Sequence, residues 1–542
     1  LVENNPLLSV HVTEKLAEGI RSFCADTVKL ENMIDALNDD QVAEIEDLQD
    51  QIVASFLNGS YGDDAVDQVN KAMEGISFYK YIYGTEPEMV DGASQATCAE
   101  HLMWLAQQVQ AGNNKINTEL AADIDMSEMP YCMSIATSDN PAYEGLFDGK
   151  NHTISGFHQT GAKFESGFIG SVHFTTIKNF TLEGELILKA GTAQSGACIG
   201  DCWDSSFENI HNKVNITIED ADVRGVGGVI GWIASGNTYI RNCTNEGNIV
   251  VRGGAQYVGG IVGQNAGNSK IINCANYGKL ICDDATTQLG GIVGVLNNGG
   301  AQMQGCFNVG EVRCNATDET NFAGALVGQM SSGDVKNNVW LESSCKQVSG
   351  QNAVPGAIAA TNDDFQSGKV CFDLNGGDFQ NPLWFQTIGE DPYPVLDNTH
   401  GVVLGVEGLY VSVFDEASLK EAAALIAEKE EENAAELKAN EEVLEVYKES
   451  IGGLSECSTM EELAAAMNEL KSKRALVDEN IALYAEYAAQ AEDIKTKIEG
   501  NDSEAAQILY SYLTDDAEPD ETYPQGSVLY ILDLLPLNTE QL

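Results

Sequence analysis

The sequence Gly259-Gly-Ile-Val-Gly263 occurs again, unchanged, at Gly290-Gly-Ile-Val-Gly294. Four related versions precede or follow these two copies. The last glycine of the motif lies at positions 170, 200, 231, 263, 294 and 328, which are 30, 31, 32, 31 and 34 residues apart. A period of this length predicts a solenoid in which each repeat forms one coil. A propeller blade would be longer, and a leucine-rich repeat would show spaced leucines.

The residues around each motif glycine predict strands and tight turns. The two positions before it are apolar in every copy, as in Ile261 and Val262. A second mark follows within twelve residues, at Asn179-Phe180, Asn209-Ile210, Asn242-Cys243, Asn273-Cys274, Gly305-Cys306 and Asn337-Asn338. Short β-branched runs between Gly and Asn indicate strands joined by turns, because both residues reach positive φ at low cost. We therefore predict a parallel β-helix whose apolar residues stack in columns.

The 13 cysteines fit a core better than a metal site. They form no CxxC pair, so a zinc site is weakly indicated, and the odd count argues against a complete disulfide framework. The repeat places Cys243, Cys274 and Cys306 in one column and Cys282 with Cys314 in another. These columns could form a metal or disulfide ladder. Small, buried thiols packed inside a narrow solenoid are the alternative, and burial statistics favour it.

Two further segments resemble the GLUG-repeat proteins, a family of surface proteins of gut and oral bacteria. Residues 143–157, Tyr-Glu-Gly-Leu-Phe-Asp-Gly-Lys-Asn-His-Thr-Ile-Ser-Gly-Phe, look like the start of that family's solenoid. Residues 368–377, with Trp384-Phe-Gln386 and Tyr393-Pro-Val-Leu396, look like its end. The resemblance spans roughly residues 96–400 and implies an extended surface module. The repeats also occur in IgA-specific metallopeptidases, but none of the seven His begins a His-Glu-x-x-His metal motif.

Helical patterns flank the repeats and complete a mixed, mainly β fold. Before them, a stripe from Leu16 to Leu37, a second from Ile45 to Phe56 and a helix over 63–81 predict a bundle. A helix over 97–111 is expected to close the first coil. After them, 416–450 and 459–499 predict a coiled-coil hairpin, with Arg474 breaking the apolar stripe of the second helix. The predicted domains are a helical domain (1–95), the solenoid with its helix cap (96–400), and an acidic helical hairpin with an apolar tail (401–542).

The tail Val528-Leu-Tyr-Ile-Leu-Asp-Leu-Leu-Pro536 is apolar and could form a strand. It is expected to pack on its own chain, with docking on a neighbouring copy as the alternative.

Charge excludes some partners. The chain has 29 Lys plus Arg against 83 Asp plus Glu, a formal charge of -54. Nucleic acid and anionic membranes are therefore poor partners, because both require clustered cations. Such charge either keeps a protein soluble or attracts cations and basic surfaces.

No apolar run approaches the roughly 20 residues of a membrane helix, and the sequence starts at Leu1 without Met, as a signal-cleaved product would. Together with the resemblance, this predicts an extracellular or cell-surface location in a bacterium.

The search for chemistry predicts no enzyme, and no catalytic residue, metal site or cofactor is indicated. Polysaccharide-degrading β-helices use grouped carboxylates, whereas the loop acids of this chain fall in different coils: Asp201, Asp204, Asp283, Asp284 and Asp318. Aromatic residues at variable positions suggest instead a face that stacks on sugars: Trp203, Trp232, Tyr257 and Tyr277. Scattered surface aromatics are equally normal.

The leading functional hypothesis is a structural or adhesive extracellular or cell-surface protein without enzymatic activity. Self-assembly into a fibre is one form of it, since solenoid ends expose unpaired strand edges that must be capped or paired with another molecule. A glycan-binding surface module is the alternative, and a polysaccharide-degrading enzyme is a third. The expected partners are other copies of the chain, or glycans and proteins of a host or cell surface.

Overall fold

A computed structural model of the chain describes residues 84–129, 132–137, 141–160, 166–189, 194–219, 223–253, 255–283, 288–315, 323–351 and 354–500, with positions 43, 44, 47, 50, 51 and 54. Those six positions are helical. The stripe from Leu16 to Leu37, most of the stripe from Ile45 to Phe56, the helix over 63–81 and the apolar tail lie outside the described residues. The chain divides into two compact units, Leu1–Thr361 and Asn362–Leu542. This boundary differs from the predicted one at residue 400.

The first unit is mainly β. Its strands are β1 (Glu88–Val90), β2 (Ala93–Ala96), β3 (Asn117–Leu120), β4 (Ile124–Asp125), β5 (Phe147–Thr160), β6 (Ile169–His173), β7 (Thr176–Leu188), β8 (Gln194–Gly196), β9 (Ile199–Trp203), β10 (Ser206–Ile218), β11 (Val223–Gly227), β12 (Ile230–Ser235), β13 (Asn237–Arg241), β14 (Thr244–Asn245), β15 (Ile249–Val251), β16 (Ala255–Gly259), β17 (Val262–Asn265), β18 (Asn268–Ile272), β19 (Ala275–Asn276), β20 (Leu280–Cys282), β21 (Gln288–Gly290), β22 (Val293–Gln304), β23 (Phe307–Asn308), β24 (Val312–Cys314), β25 (Ala323–Gly324), β26 (Val327–Lys336), β27 (Asn338–Leu341), β28 (Ser349–Gln351) and β29 (Ala357–Ala360). Helix α1 (Ala99–Gln110) lies between β2 and β3.

These strands form a parallel β-solenoid of about six turns, as the sequence predicts. Each strand of one coil pairs in parallel with its counterpart in the next, as β12 does with β17, β13 with β18 and β15 with β20. Within the described residues, 24 strands belong to one continuous sheet. A second sheet of five holds β8, β11, β16, β21 and β25. Among the described strands of this unit, β1 alone pairs in the antiparallel direction, with β2.

The predicted apolar columns are confirmed. The residue just before each motif glycine pairs with its equivalent in the next coil, and all are fully buried: Ile169, Ile199, Ile230, Val262, Val293 and Val327. The motif glycine is required by close packing between the two sheets. A Cβ atom at Gly263 would lie 2.4 Å from the Val226 nitrogen, and real Cβ atoms do not approach backbone so closely.

The second register mark is a column of left-handed turns. The asparagines have positive φ, from 50° to 59°, at positions 179, 209, 242, 273 and 337, and Gly305 has φ 65°. Asparagine tolerates this region and glycine enters it freely, which explains why the repeat accepts only these two residues there.

An asparagine ladder crosses the solenoid interior and was not predicted. Asn212, Asn245, Asn276 and Asn308 are fully buried, and each of the first three donates its side-chain amide to the side-chain oxygen of the next at 2.7 Å. From Asn245 onward, each amide also donates to a carbonyl two residues later, at 2.9 to 3.0 Å. The ladder therefore satisfies polar groups that burial would otherwise leave unpaired.

The two cysteine columns belong to the core. Cys243, Cys274 and Cys306 are buried and carry thiols rather than disulfides, and so do Cys282 and Cys314. The Cys243 thiol donates to the Arg241 carbonyl at 3.3 Å and the Cys274 thiol to the Ile272 carbonyl at 3.4 Å. Burial raises the pKa of the Cys274 thiol well above its usual value. These thiols act as small core residues, which is the interpretation that burial statistics favour.

The second unit contains helices and one hairpin. Its elements are α2 (Asn362–Gln366), α3 (Lys369–Leu374), β30 (Val402–Val406), β31 (Leu409–Val413), α4 (Glu416–Ala435), α5 (Glu441–Gly452), a 3-10 turn (Gly453–Glu456) and α6 (Met460–Ile498). The segment that resembles the end of a GLUG solenoid lies here. Asn375 accepts from the Leu383 and Trp384 amides at 3.0 Å, and Gln386 donates to the Phe365 carbonyl at 2.7 Å. Its polar residues therefore hold the segment together.

The helices predicted after the solenoid are confirmed, but the one expected over 416–450 is interrupted and forms two helices. The chain leaves the helix after Ala435 and starts α5 at Glu441. Asn440 fixes the break, because its side chain caps α5 by accepting from the Glu442 amide at 2.9 Å. Its backbone amide donates to Asn480 of α6 at 2.9 Å.

The break in the heptad stripe at Arg474 has a structural reason. The Tyr447 hydroxyl donates to the Glu430 carboxylate, and both residues are buried. Burial raises the pKa of Tyr447 most, and the hydrogen bond with the Glu430 carboxylate raises it further. A hydrogen bond with Arg474 lowers it. Arg474 therefore serves a polar contact between helices, and it also pairs with Asp478 at 2.9 Å.

Candidate functional site

The four aromatic residues predicted to bind glycans occupy four different positions around the coil. Trp203 ends β9 and lies level with His173 of the preceding coil. Trp232 pairs with Gln264, and Tyr257 pairs with Gln288 in the smaller sheet. Tyr277 follows β19. Trp232 also pairs with Asp201, two residues before Trp203, so Trp203 and Trp232 lie on the same face of neighbouring strands, whereas Tyr257 belongs to the smaller sheet.

Exposure also separates them. The side chain of Trp203 is 41% exposed, whereas Trp232, Tyr257 and Tyr277 are half-buried. The Trp232 Nε1 atom is buried. Tyr277 packs edge-on against the buried Phe307, with ring centroids 5.5 Å apart. Trp203 is therefore the member of the predicted set best placed to meet a ligand, and the binding role of all four stays a prediction.

Two residues that the sequence analysis missed join Trp203 in an aromatic platform, defined as His173, Phe174 and Trp203. The His173 and Trp203 rings stack at 5.0 Å with an interplanar angle of 18°. Phe174 meets His173 edge-on at 5.8 Å, and its side chain is 64% exposed. Parallel pairing of β6 with β9 creates the stack, because it sets position 173 beside position 203.

The backbone at Phe174 is unusual for an aromatic residue. Its φ is 54°, in the left-handed region, and the equivalent turn of the next coil holds Asp204 with φ 42°. Asp adopts this conformation readily, whereas a bulky side chain is an outlier there. The Phe174 amide donates to the Trp203 carbonyl at 3.1 Å, which holds the turn. Strain of this kind at an exposed side chain is typical of functional positions.

Carboxylates flank the platform. Glu144 forms an ion pair with Lys115 at 2.9 Å, and Asp204 accepts from the Asn237 amide at 2.6 Å. Partial burial lowers the pKa of His173, although Glu144 opposes this shift. The imidazole is therefore neutral at pH 7. The platform thus consists of the exposed rings of Phe174 and Trp203 and the uncharged ring of His173.

The loop acids considered for catalysis lie apart from one another where the structure describes them. Asp201 is nearly buried beside Trp232, Asp204 caps a turn, and Asp283 accepts from Asn315 at 2.7 Å. Asp284 and Asp318 lie outside the described residues. Within the described part of the chain, no three His, Cys, Asp or Glu side chains gather as a metal site. In that same part, no helix is long and apolar enough to cross a membrane.

Two solved structures are similar to this chain. One is the crystal structure of a candidate immunoglobulin A1 protease from Bacteroides ovatus, with 16% identity, a TM-score of 0.38, and coverage of 58% of this chain and 95% of that one. The other is named IgA1 protease, with 16% identity, a TM-score of 0.32, and coverage of 49% of this chain but 21% of that one. No family model matches the sequence, and no curated protein matches it.

Both names describe a peptidase, and they contradict the sequence-based prediction that this chain is not an enzyme. That prediction is withdrawn. The names belong to those proteins, and similarity at this level assigns no catalytic residue to this chain. They agree with the link to IgA-specific peptidases that the resemblance implied, whereas the GLUG repeats themselves are matched by no family model.

Proposed function

We propose that this protein is an extracellular or cell-surface solenoid module that attaches to glycans through the aromatic platform. The observation that carries the proposal is the exposure of Phe174 and Trp203 at one corner of adjacent coils, with His173 stacked against Trp203. Aromatic faces bind the apolar C–H faces of sugars, and exposed rings in one place mark interaction sites. The relation to GLUG-repeat surface proteins belongs to the same proposal, supported by the repeat period and the strand register.

Charge narrows the ligand class to neutral glycans. The formal charge of the chain is -54, and the platform itself is flanked by Glu144 and Asp204. Anionic sugars would approach against this field. The carboxylates and backbone carbonyls at the corner instead provide acceptors for the hydroxyl groups of an uncharged sugar.

Alanine substitution of the two exposed rings tests the proposal. We expect Trp203→Ala and Phe174→Ala to weaken binding to neutral oligosaccharides on a glycan array by about ten-fold, a loss of roughly 1.4 kcal/mol of stacking. Phe414→Ala is the matched control, since Phe414 is 58% exposed but lies in the second unit. Thermal melts followed by circular dichroism check that each variant is folded. Equal binding by all three variants would refute the platform.

Assembly of copies through the first end of the solenoid is a second candidate function. Among the described residues β1 pairs with β2 alone, and Met89 and Val90 on it are 49% and 42% exposed. An edge strand with apolar side chains can pair with another chain. Sedimentation velocity at high concentration tests this. We expect concentration-dependent oligomers that Val90→Lys abolishes, and a strictly monomeric wild-type chain would exclude assembly.

A further inference from the structure

A groove of about 440 Å³ crosses the outside of the first coils, away from the aromatic platform. Its lining comes from successive coils and includes Ser127, His158, Glu185 and Asn215. Strand pairing aligns these positions, since His158 pairs with Glu185 and Glu185 pairs with Asn215. The groove is shallow and wide open to solvent.

Glycines and a change of register create this groove. The pairing of β5 with β7 shifts between Ile154 and Phe157. At Gly156, with φ 68°, a Cβ atom would lie 2.5 Å from the Ser127 nitrogen. At Gly184, with φ 149°, it would lie 1.8 Å from the Phe157 oxygen. Only glycine allows the coils to approach in this way, so the shape of the groove is fixed by the backbone.

The groove presents hydrogen-bond acceptors on one side. The His158 Nδ1 atom lies 2.9 Å from the Gly156 carbonyl oxygen. A carbonyl only accepts, so Nδ1 carries a proton, and Nε2 is the acceptor of the neutral imidazole. Glu185 has an exposed side chain, and the described residues give it no ion pair. Its carboxylate therefore remains a strong acceptor for ligand hydroxyls.

A donor completes the set. The Asn215 Oδ1 atom already accepts from the Asn248 backbone amide at 3.0 Å and from its side-chain amide at 3.2 Å. This leaves the Asn215 NH₂ group to donate. Ser127 adds a hydroxyl, which both donates and accepts. A ligand with many hydroxyl groups needs this mixture, whereas an anion would meet the Glu185 carboxylate without any Lys or Arg in the groove.

We propose that this groove is a second binding site, which holds one neutral sugar ring through hydroxyl hydrogen bonds to His158, Glu185 and Asn215. It differs from the platform in mechanism, because recognition is by hydrogen bonds rather than by ring stacking. The proposal does not depend on the platform, since none of its residues is shared.

Saturation-transfer NMR on the full chain tests the site with four probes: the methyl glycosides of glucose, galactose and mannose, and N-acetylneuraminic acid. We expect at least one methyl glycoside to bind, and Glu185→Ala and Asn215→Ala each to weaken it by about five-fold or more. Glu183→Ala is the matched control, because Glu183 lies on the same strand and pairs with Lys213 at 3.4 Å. It should leave binding unchanged.

Trp203→Ala distinguishes this site from the platform: it weakens binding at the platform, whereas the part of the signal that depends on Glu185 and Asn215 should persist in this variant. The proposal is overturned if no methyl glycoside binds, if only the anionic sugar binds, or if Glu183→Ala weakens binding as much as Glu185→Ala. Loss of the signal in Trp203→Ala would assign it to the platform and would equally overturn the groove. Melting curves of each variant exclude unfolding as the cause of a loss.

Discussion

The solenoid and the helical unit reach stability by different means. In the solenoid each buried residue is repeated one coil later, so columns such as Ile230, Val262 and Val293 form continuous apolar stacks. In the helical unit, single contacts decide the geometry, such as the cap at Asn440 and the Tyr447 to Glu430 hydrogen bond. A destabilising substitution in a column therefore affects the coils on both sides of it, whereas one in the helical unit affects only the contacts around it.

A charge placed in a column gives the largest expected effect. Ile261 and Val262 are both fully buried, so Ile261→Asp or Val262→Asp places an unpaired carboxylate in the core. This costs several kcal/mol, a large part of the stability of a domain. We expect the central coils to unfold while residues 416–498 keep their helical signal. Circular dichroism melts followed at 222 nm check this. If either variant melts as cooperatively and at the same temperature as the wild type, the residue does not lie in a buried column.

The buried asparagine ladder gives the next largest effect. Asn276→Ala removes one rung, so the Asn245 amide loses one acceptor and the Asn308 side-chain oxygen loses its donor within the ladder, at a cost of about 2 to 3 kcal/mol. Asn248→Ala is the matched control, because Asn248 belongs to an exposed asparagine pair with Asn215. We expect it to change the free energy of unfolding by less than about 1 kcal/mol. Urea titrations measure the free energy of unfolding of both variants. Similar losses of stability would show that burial of the asparagine does not determine its contribution.

The sequence predicted the solenoid well because its physical cause is local and repeated. Glycine spacing, apolar pairs and left-handed asparagines each report on one residue and recur in every coil. The ladder is not evident from the sequence, because Asn245 and Asn276 each precede a glycine by two residues, a pattern typical of turns. Whether an amide faces inward depends on the path of the chain between turns, which no single repeat reveals.

The candidate site was predictable only in part. Trp203 was identified from its variable position, but His173 and Phe174 come from the first coil, where the repeat is weakest. Their contact with Trp203 exists only because β6 pairs with β9 in a specific register. Aligning Val172-His-Phe-Thr175 with Cys202-Trp-Asp-Ser205 would have revealed it. In the helical unit, Asn440 followed by two glutamates is a helix-start signal that the heptad pattern obscured.

The cap at Asn440 gives a smaller, local effect in the helical unit. Asn440→Ala removes the hydrogen bond to the Glu442 amide and should cost about 1 kcal/mol. Asn440→Asp keeps an acceptor and should retain most of the stability. Denaturation followed by the helical circular dichroism signal and by tryptophan fluorescence measures the two units, because four of the five tryptophans lie in the first unit. A loss of solenoid stability equal to that of the helices would contradict the local character of the contact.

Acidification gives the smallest effect and concerns the solenoid. His211 is half-buried, and its Nδ1 atom lies 2.9 Å from the Thr244 hydroxyl. Burial, aided by the positive charge of Lys213, lowers the pKa of His211 below 6.5. The unfolded chain thus binds a proton at a higher pH than the folded chain does. The stabilisation is complete above pH 6.5 and decreases as the pH falls from there toward the lowered pKa. We expect the melting temperature to fall slightly between pH 7.5 and 5.5, and His211→Gln to reduce that fall. A melting temperature that rises on acidification, or a pH dependence unchanged in His211→Gln, would show that this imidazole does not control it.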